Sequence, residues 1–322
     1  MPATPYNCIP VATREDPMRL TIKPILPRFG AEICGVDISR PLDEATRAAI
    51  VDAQNTYGVT VWRHTGLDDE RHIAFSRIFG HVELAPRTAR SRHAHRELFD
   101  ASNLDAHGHI IQDEMIRLHK LGDRLWHTDS SFMDLRSAQS LLLCHEAPPV
   151  GGETWFADTR TAYEDLPESM KQRIEGLEAL HSLWWSRSRA GFPLTEEEID
   201  AKPHARHALV HVHKGSGRKA LYVAAHARDI VGLPREQGRA LLRELIEFAT
   251  QPQYVFSVNY EPGDMVIWDN LCSMHRGGGY DEVHHRRDMR RTTIREAPAP
   301  AEPDDPFTEL FRASGRTVFD RR

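Results

Sequence analysis

The sequence of 322 residues is poor in cysteine and has no long apolar run. Its four cysteines (Cys8, Cys34, Cys144 and Cys272) are scattered and include no CxxC pair, so a disulfide framework is not expected. No run approaches the roughly 20 apolar residues that span a bilayer. Residues 1–18 carry prolines and both charge signs where a secretory signal would need an apolar core. We therefore expect a cytoplasmic protein without a membrane partner.

Two further absences narrow the fold and the class of partner. No GxGxxG motif follows a predicted strand, which argues against a Rossmann fold. The 41 Lys and Arg residues do not outnumber the 47 Asp and Glu residues, and the net charge of -6 argues against a general nucleic-acid binder. A hydrophobic content of 40% is nevertheless enough for a sizeable core.

Short runs rich in Val, Ile and aromatic residues predict many strands, and helical patterns are fewer. The predicted strands are 19–25, 58–62, 140–144, 208–213, 220–224, 254–260, 264–268 and 291–295. The predicted helices are 43–57, 69–79, 159–166, 168–180 and 234–249. This pattern favours a mostly β protein with flanking helices and a double-stranded β-helix (jelly-roll) core.

The ends of the chain and one internal stretch differ from the rest in composition. We expect residues 1–18 to be a flexible leader and residues 297–322 to be a loosely ordered tail that starts with APAPAEPDD. Residues 19–296 would then form a single jelly-roll domain. Residues 86–121 are polar and lack apolar periodicity, so they predict a mobile loop over a site.

The most informative local motif is LWHTD, which contains His127 and Asp129. On a strand, positions two apart face the same side, so both side chains can point at one metal ion. His275, which follows a predicted apolar strand, is a third candidate ligand. Two histidines and one carboxylate form the facial triad of non-haem Fe(II) oxygenases, with open coordination positions for a bidentate cosubstrate and O2. Taken alone, this motif could also be a chance HxD pair.

Four arginines downstream of His275 suggest an anion site. On a strand, Arg287 and Arg291 would share a face, and the planar guanidinium suits a carboxylate. On a helix the cluster would instead make a basic patch for nucleic acid, and on a surface strand it would simply be solvated. Thr154 follows Gly151-Gly152 and can add a hydroxyl hydrogen bond, or it can be just the first residue of a strand.

Five blocks of the sequence resemble the TauD/TfdA group of Fe(II)/2-oxoglutarate dioxygenases, and phenoxyalkanoate-degrading enzymes are the most similar members. The blocks are LWHTDSSF, APPVGGETWFADTRTAYEDLP, GSGRKALYVAAHARDIVGLP, PGDMVIWDNLCSMHRGGGYD and RRDMRRTT, and the resemblance covers residues 20–296. It implies iron ligation by His127, Asp129 and His275. It also implies binding of 2-oxoglutarate by Thr154, Arg287 and Arg291.

The resemblance places the substrate pocket near Asp123, Trp126 and the segment 181–189, which includes Trp184, Trp185 and Arg187. Arg90 is a further candidate for a substrate carboxylate, although its charged surroundings favour a solvated basic loop. The cofactor set would be Fe(II), 2-oxoglutarate as cosubstrate and O2. We also expect a homo-oligomer.

The expected reaction is hydroxylation of an aryloxyalkanoate such as 2,4-dichlorophenoxyacetate. The products would be a phenol and glyoxylate or another 2-oxo acid, together with succinate and CO2. The same chemistry could instead act on a sulfonate such as taurine, a sulfate ester or another carboxylate. Two different classes of protein also fit the residues: a zinc hydrolase with the same ligands, and a non-catalytic module that binds metal or nucleic acid.

Overall fold

The computed structural model describes residues 20–84 and 92–297. Fifteen strands are found in these ranges: β1 (Thr21–Leu26), β2 (Phe29–Cys34), β3 (Val59–Trp62), β4 (Phe99–Asp100), β5 (Ser137–Glu146), β6 (Thr154–Asp158), β7 (Glu178–His181), β8 (Ala205–Ala208), β9 (Val210–Val212), β10 (Lys219–Leu221), β11 (Ala227–Ile230), β12 (Val255–Val258), β13 (Met265–Asp269), β14 (Ser273–Gly277) and β15 (Asp288–Arg295).

Eight α-helices connect or cover the strands in the same ranges: α1 (Glu44–Tyr57), α2 (Asp69–Ser76), α3 (Glu114–Lys120), α4 (Thr159–Asp165), α5 (Glu168–Ile174), α6 (Leu183–Arg189), α7 (Glu196–Asp200) and α8 (Arg235–Ala249). Two short 3-10 helices lie at Leu121–Arg124 and Pro252–Tyr254. Helical and strand residues occur in similar numbers, so the prediction of a mostly β protein was too strong. No helix in the described ranges is long and apolar enough to cross a membrane.

The main sheet has seven strands in the order β1-β2-β3-β13-β5-β15-β4. Its strands pair antiparallel except β2 and β3, which pair parallel. A second sheet has the order β12-β6-β14, and both of its pairings are antiparallel. Two smaller sheets, β11-β7-β8 and β10-β9, complete the strand pairing that the structure describes.

Strand β5 shows how the main sheet is buried on both faces. Leu141 and Leu143 join a core cluster with Ile50 of α1 and Phe75 of α2. Leu142 and Cys144, on the other face, join a cluster with residues of the second sheet, such as Phe156 and Phe256. Because successive strand residues alternate between faces, the apolar residues of β5 pack into two core clusters, one on each face of the sheet. The two sheets therefore pack against each other, and helices cover the outer face of the larger one.

Local sequence signals explain where α1 begins and ends. Asp43 caps the helix, since its carboxylate accepts a hydrogen bond from the backbone N–H of Thr46 at 2.7 Å. Gly58 ends it with φ of 70°, a left-handed conformation that glycine adopts without strain. A Cβ on Gly58 would also lie 3.1 Å from Sγ of Cys272, so the close approach of β3 to the β13–β14 turn requires glycine.

Most predicted elements are present, with three corrections. The predicted helix 168–180 ends at Ile174, and residues 178–181 form strand β7. The predicted loop 86–121 contains strand β4 and helix α3, whose start is capped by Asp113. The segment that contains His127 and Asp129 is not a strand: His127 makes one isolated bridge, and the turn that follows has Ser130 at φ of 54°.

Candidate active site

The structure brings His127, Asp129 and His275 together although 127–129 lies outside a strand. His275 lies on β14, and its backbone exchanges two hydrogen bonds with His127, at 2.9 Å and 2.7 Å. The two imidazole rings are 4.1 Å apart between centroids. The ligand atoms of all three residues lie within 4.8 Å of one another, and all three residues are buried. We expected a strand to bring these side chains together, and an isolated bridge followed by a turn does so instead.

The Asp129 carboxylate is held at both oxygens. Oδ2 accepts a hydrogen bond from the Ser140 hydroxyl at 2.7 Å and lies 3.7 Å from Nε2 of His275. Oδ1 accepts a hydrogen bond from Arg291. Burial opposes the charge of this carboxyl, but Arg291 and the two histidines outweigh burial and lower its pKa. Asp129 is therefore an ionised acceptor at neutral pH.

The protonation state of His275 and the ring orientation of His127 suit a divalent cation. Burial, together with the proximity of His127, lowers the pKa of His275 to about 3, so its imidazole is neutral at pH 7. Nδ1 of His127 lies 2.8 Å from the carbonyl oxygen of Leu125. That contact favours the tautomer that leaves Nε2 of His127 as a ligand atom. Two imidazoles and one carboxylate have the donor chemistry of a non-haem iron site.

Thr154 and Arg287, two of the three residues expected to bind 2-oxoglutarate, both lie beside Tyr260. Thr154 is the first residue of β6, and its hydroxyl accepts a hydrogen bond from the Tyr260 hydroxyl at 2.9 Å. Burial raises the pKa of Tyr260 to about 12, so the phenol keeps its proton. The Arg287 guanidinium lies 5.8 Å from the Tyr260 ring centroid and donates to the carbonyl oxygen of Gly152 at 3.3 Å.

Arg287 precedes β15, whereas Arg291 lies on it, paired with Leu142 of β5. Both guanidiniums lie on the side of the main sheet that faces the second sheet, since Leu142 and Tyr260 belong to the same core cluster. Arg287 donates to the carbonyl oxygen of Ala101, and Arg291 donates to Asp129. The other two arginines of the cluster also have acidic partners: Arg286 pairs with Glu146, and Arg290 pairs with Asp69. Each of the four arginines in the cluster therefore has different partners.

Asp123 and Arg187 form an ion pair on one side of the site. Nη1 of Arg187 donates to Oδ1 of Asp123 at 3.0 Å. Asp123 is 58% exposed. Desolvation opposes its charge, but Arg187 and nearby histidines lower the pKa of Asp123 to about 2. Arg187 crosses directly over Gly122, where a Cβ would lie 1.8 Å from Nη1.

The three tryptophans predicted for the substrate pocket have different surroundings. The Arg276 guanidinium lies 4.8 Å from the ring of Trp126, which also packs against the apolar core. Trp184 is buried in a cluster with Phe192 and Ile199, and Trp185 packs under Arg239. Their roles in binding substrate stay predictions. Arg90 lies outside the described residues, and its neighbour in sequence, Arg92, pairs with Asp100 and Asp288.

His226, to which the sequence analysis gave no role, lies beside His127 of the triad. Its ring centroid is 6.0 Å from that of His127 and 5.1 Å from that of Phe132. Nδ1 lies 3.0 Å from the Ser131 hydroxyl. Burial, with the charge of His127, places the pKa of His226 well below its usual value, so the ring is neutral. Its position in the block VAAHA was the available signal.

His213, Asp269 and Cys272 form a second buried group with possible ligand atoms. Nδ1 of His213 accepts a hydrogen bond from the backbone N–H of Ser216 at 3.2 Å. Nε2 of the same ring lies 3.0 Å from Oδ2 of Asp269. Burial raises the pKa of the Cys272 thiol well above its usual value. This group is a hydrogen-bonded core pair beside a protonated thiol.

Comparisons with known proteins agree with the geometry of the triad. The family model described as "Taurine catabolism dioxygenase TauD, TfdA family" matches residues 21–293. The alpha-ketoglutarate-dependent 2,4-dichlorophenoxyacetate dioxygenase of Burkholderia sp. (strain RASC) is 38% identical over 272 residues, which is 83% of this chain and 91% of that protein. The (S)-phenoxypropionate/alpha-ketoglutarate-dioxygenase of Sphingobium herbicidovorans is 33% identical over 276 residues, with 82% and 91% covered.

A solved structure is similar as well. The crystal structure of AAD-2 in complex with Mn(II) and N-oxalylglycine superposes with a TM-score of 0.78 at 35% identity, covering 88% of this chain and all of that one (100%). The chain therefore belongs to the TauD/TfdA family of 2-oxoglutarate-dependent dioxygenases. It is an enzyme whose cofactors are Fe(II), 2-oxoglutarate and O2, and the buried triad fits the metal. The zinc hydrolase and the non-catalytic module are thereby set aside.

Proposed function

We propose that this dioxygenase hydroxylates the carbon beside the ether oxygen of an aryloxyalkanoate. The observation that carries the proposal is the buried set of His127, Asp129 and His275 in a chain 38% identical to a 2,4-dichlorophenoxyacetate dioxygenase. Hydroxylation at that carbon gives a hemiacetal, which collapses to a phenol and a 2-oxo acid. For an aryloxyacetate the 2-oxo acid is glyoxylate, and the cosubstrate leaves as succinate and CO2.

His127, Asp129 and His275 are the proposed metal ligands, because among the described residues they form a buried group with suitable donor atoms, including a neutral His275 and an ionised Asp129. Bound Fe(II), with 2-oxoglutarate and O2, supplies the oxidising chemistry. Arg287 and Thr154 are proposed to hold the distal carboxylate of 2-oxoglutarate. Tyr260 supports this role because its hydroxyl already donates to Thr154, which leaves the threonine proton free to donate to an anion.

The substrate is proposed to bind between His226 and the Arg187–Asp123 pair. Phe132, Leu183 and Met133 form a small apolar cluster beside His226, and this cluster suits an aryl ring. Arg187 supplies a positive charge on the same helix, α6, as Leu183 of that cluster. A carboxylate that replaces part of its contact with Asp123 would be oriented toward the triad. Arg291 can contribute to the same anion or to the cosubstrate.

We also propose the finer features of the fold that the sequence suggested. The packing of the seven-stranded sheet on the β12-β6-β14 sheet supports a double-stranded β-helix core for residues 19–296 as one domain. A homo-oligomer, the absence of nucleic-acid and membrane partners, and a cytoplasmic location stay predictions. The direct test of oligomeric state is light scattering after gel filtration.

The proposed function is tested by measuring products. Protein purified anaerobically is given Fe(II), 2-oxoglutarate, ascorbate and air, with 2,4-dichlorophenoxyacetate, 2-phenoxypropionates, taurine or no substrate. Release of a phenol in step with succinate, lost in a His127→Ala variant, is the expected result. Succinate stimulated by taurine alone would refute the aryloxyalkanoate assignment and keep the reaction type. No iron-dependent succinate from folded protein would refute both.

A further inference from the structure

Asn270 connects the two chain segments that carry the metal-binding triad. It lies in the turn between β13 and β14, and it is 1% exposed. Its Oδ1 accepts hydrogen bonds from the backbone N–H of Asp129 at 3.0 Å and from Nε1 of Trp268 at 3.1 Å. Its backbone carbonyl accepts a third from the Thr128 hydroxyl at 2.6 Å. The turn that precedes His275 therefore also anchors the segment 127–129.

The indole of Trp268 determines which way the Asn270 amide faces. An indole N–H is only a donor, so the amide atom beside it must be the oxygen. The amide nitrogen is then the atom that lies 3.0 Å from the Ser140 hydroxyl oxygen, and it donates to that oxygen. No rotation of the amide group satisfies Trp268 and leaves an acceptor facing Ser140.

The direction of the Ser140 hydroxyl follows from the same constraint. Because its oxygen accepts from Asn270, its own proton is free to donate, and Oδ2 of Asp129 lies 2.7 Å away. The hydrogen bonds therefore run in one direction, from Trp268 to Asn270, from Asn270 to Ser140 and from Ser140 to Asp129. All four residues are buried, so water does not compete for these donors.

We propose that Asn270 is a positioning residue that holds Asp129 ready to bind the metal, at its backbone directly and at its carboxylate through Ser140. The inference rests on the proposed role of Asp129 as a ligand. It explains how the carboxylate is aimed although residues 127–129 lack the support of a strand ladder. It also explains why the pull of Arg291 on Oδ1 does not rotate the carboxylate, since Ser140 holds Oδ2.

Two substitutions break the chain of hydrogen bonds at different points. Ser140→Ala removes the donor to Asp129, and Asn270→Asp keeps the size of the side chain but offers Ser140 an acceptor in place of a donor. In the second variant the Ser140 proton can turn to the introduced carboxylate. Losses of outer hydrogen-bond partners typically weaken metal binding by about 10–100-fold. We expect weakening in that range for each variant, measured as the Kd of Mn(II) for the apoprotein by calorimetry.

The double variant distinguishes two explanations: Asn270 and Ser140 act on Asp129 through one chain of hydrogen bonds, or each acts on it independently. If Asn270 acts on the carboxylate through Ser140, the double variant should bind Mn(II) about as weakly as the weaker single variant. Ser137→Ala is the matched serine control, because Ser137 is buried on the same strand and its hydroxyl has no partner among the described residues. Gln54→Glu is the matched amide control, because Gln54 is buried in a network with Thr60 and Gly58. Both controls should keep the Mn(II) Kd of the original protein.

Catalysis supplies a second readout. At limiting Fe(II) both variants should lose activity, and saturating Fe(II) should restore it with the KM for 2-oxoglutarate unchanged. Unaltered Mn(II) affinity in Ser140→Ala would overturn the inference, even if Asn270→Asp failed to fold. Multiplying losses in the double variant would overturn it as well. Failure of the unsubstituted protein to bind Mn(II) would refute the proposed function, and this inference with it.

Discussion

Arg291 donates a hydrogen bond to Oδ1 of Asp129, so an arginine side chain contacts a carboxylate that is also a proposed metal ligand. The Arg291 guanidinium also lies 4.7 Å from the Phe99 ring centroid, which keeps it on this side of β15. The family resemblance assigned Arg291 to the binding of the cosubstrate. Its contact with Asp129 indicates a second role for Arg291, which is to neutralise part of the negative charge of that carboxylate.

Replacement of Arg291 should tighten binding of a divalent cation in the absence of 2-oxoglutarate. Arg291→Gln removes a positive charge that repels the cation and competes for Asp129. We expect the Mn(II) Kd to fall by about tenfold, which corresponds to about 1.4 kcal/mol. Arg290→Gln is the control, since Arg290 pairs with Asp69 instead. Weaker Mn(II) binding in Arg291→Gln would show that Arg291 mainly orients Asp129 and that its competition with the cation for Asp129 is the smaller effect.

Metal binding should stabilise the fold, and the effect should depend on His127. Free metal at 100 times its Kd adds about 2.7 kcal/mol to the free energy of unfolding. We therefore expect a chelator to lower the Tm of the metal-loaded protein. The Tm of His127→Ala should not respond to metal, because one of three ligands is gone. An equal metal-dependent shift in both proteins would place the metal somewhere else.

Arg287 should determine the affinity for 2-oxoglutarate. Arg287→Lys keeps the charge but loses the planar donor geometry that binds a carboxylate through two hydrogen bonds. A hydrogen bond to a charged group contributes about 1.5–3 kcal/mol, so we expect the KM for 2-oxoglutarate to rise at least about tenfold. Steady-state kinetics would show this with the Mn(II) Kd unchanged. Arg286→Lys, next in sequence and paired with Glu146, should behave like the original protein.

His181 should make stability fall in mild acid. It is fully buried, neither ring nitrogen has a hydrogen-bond partner among the described residues, and burial lowers its pKa to about 3. The unfolded chain, with a His pKa of about 6.5, binds the proton first as pH falls. The contribution of His181 to the free energy of unfolding is therefore fully present above about pH 6.5. It decreases toward pH 3 by about 1.4 kcal/mol per pH unit.

Substitution of His181 tests that contribution directly. His181→Phe keeps an aromatic ring against Tyr222, whose centroid lies 5.6 Å away, and removes the titrating group. Urea denaturation between pH 6 and 4 should give a smaller pH slope than for the original protein, by about 1.4 kcal/mol per unit. The same substitution at the exposed His109 should leave the slope unchanged. An unchanged slope in His181→Phe would mean that His181 already takes up its proton in the folded chain.

Local residue patterns predicted where helices and strands lie better than how much of the chain each type occupies. The strands around residues 264–268 and 291–295 and the helices that start near residues 43 and 234 were found close to their predicted ends. Each has an apolar periodicity or a cap that acts within a few residues. Helix α3 was missed because its apolar residues are few and its start depends on the single cap at Asp113. The break after Ile174 was missed because apolar periodicity continues into β7.

The sequence by itself determined the chemistry available to this protein. The residue types at 127, 129 and 275 and the motif blocks around them point to the family, because ligand chemistry depends on residue type and spacing. How these residues are oriented depends on the tertiary structure. The bridge between His127 and His275, the contacts of Arg287 with Gly152 and Ala101 and the contact of Asn270 with Asp129 all join residues far apart in sequence. Pairings of that kind depend on how sheets pack, and no local pattern encodes them.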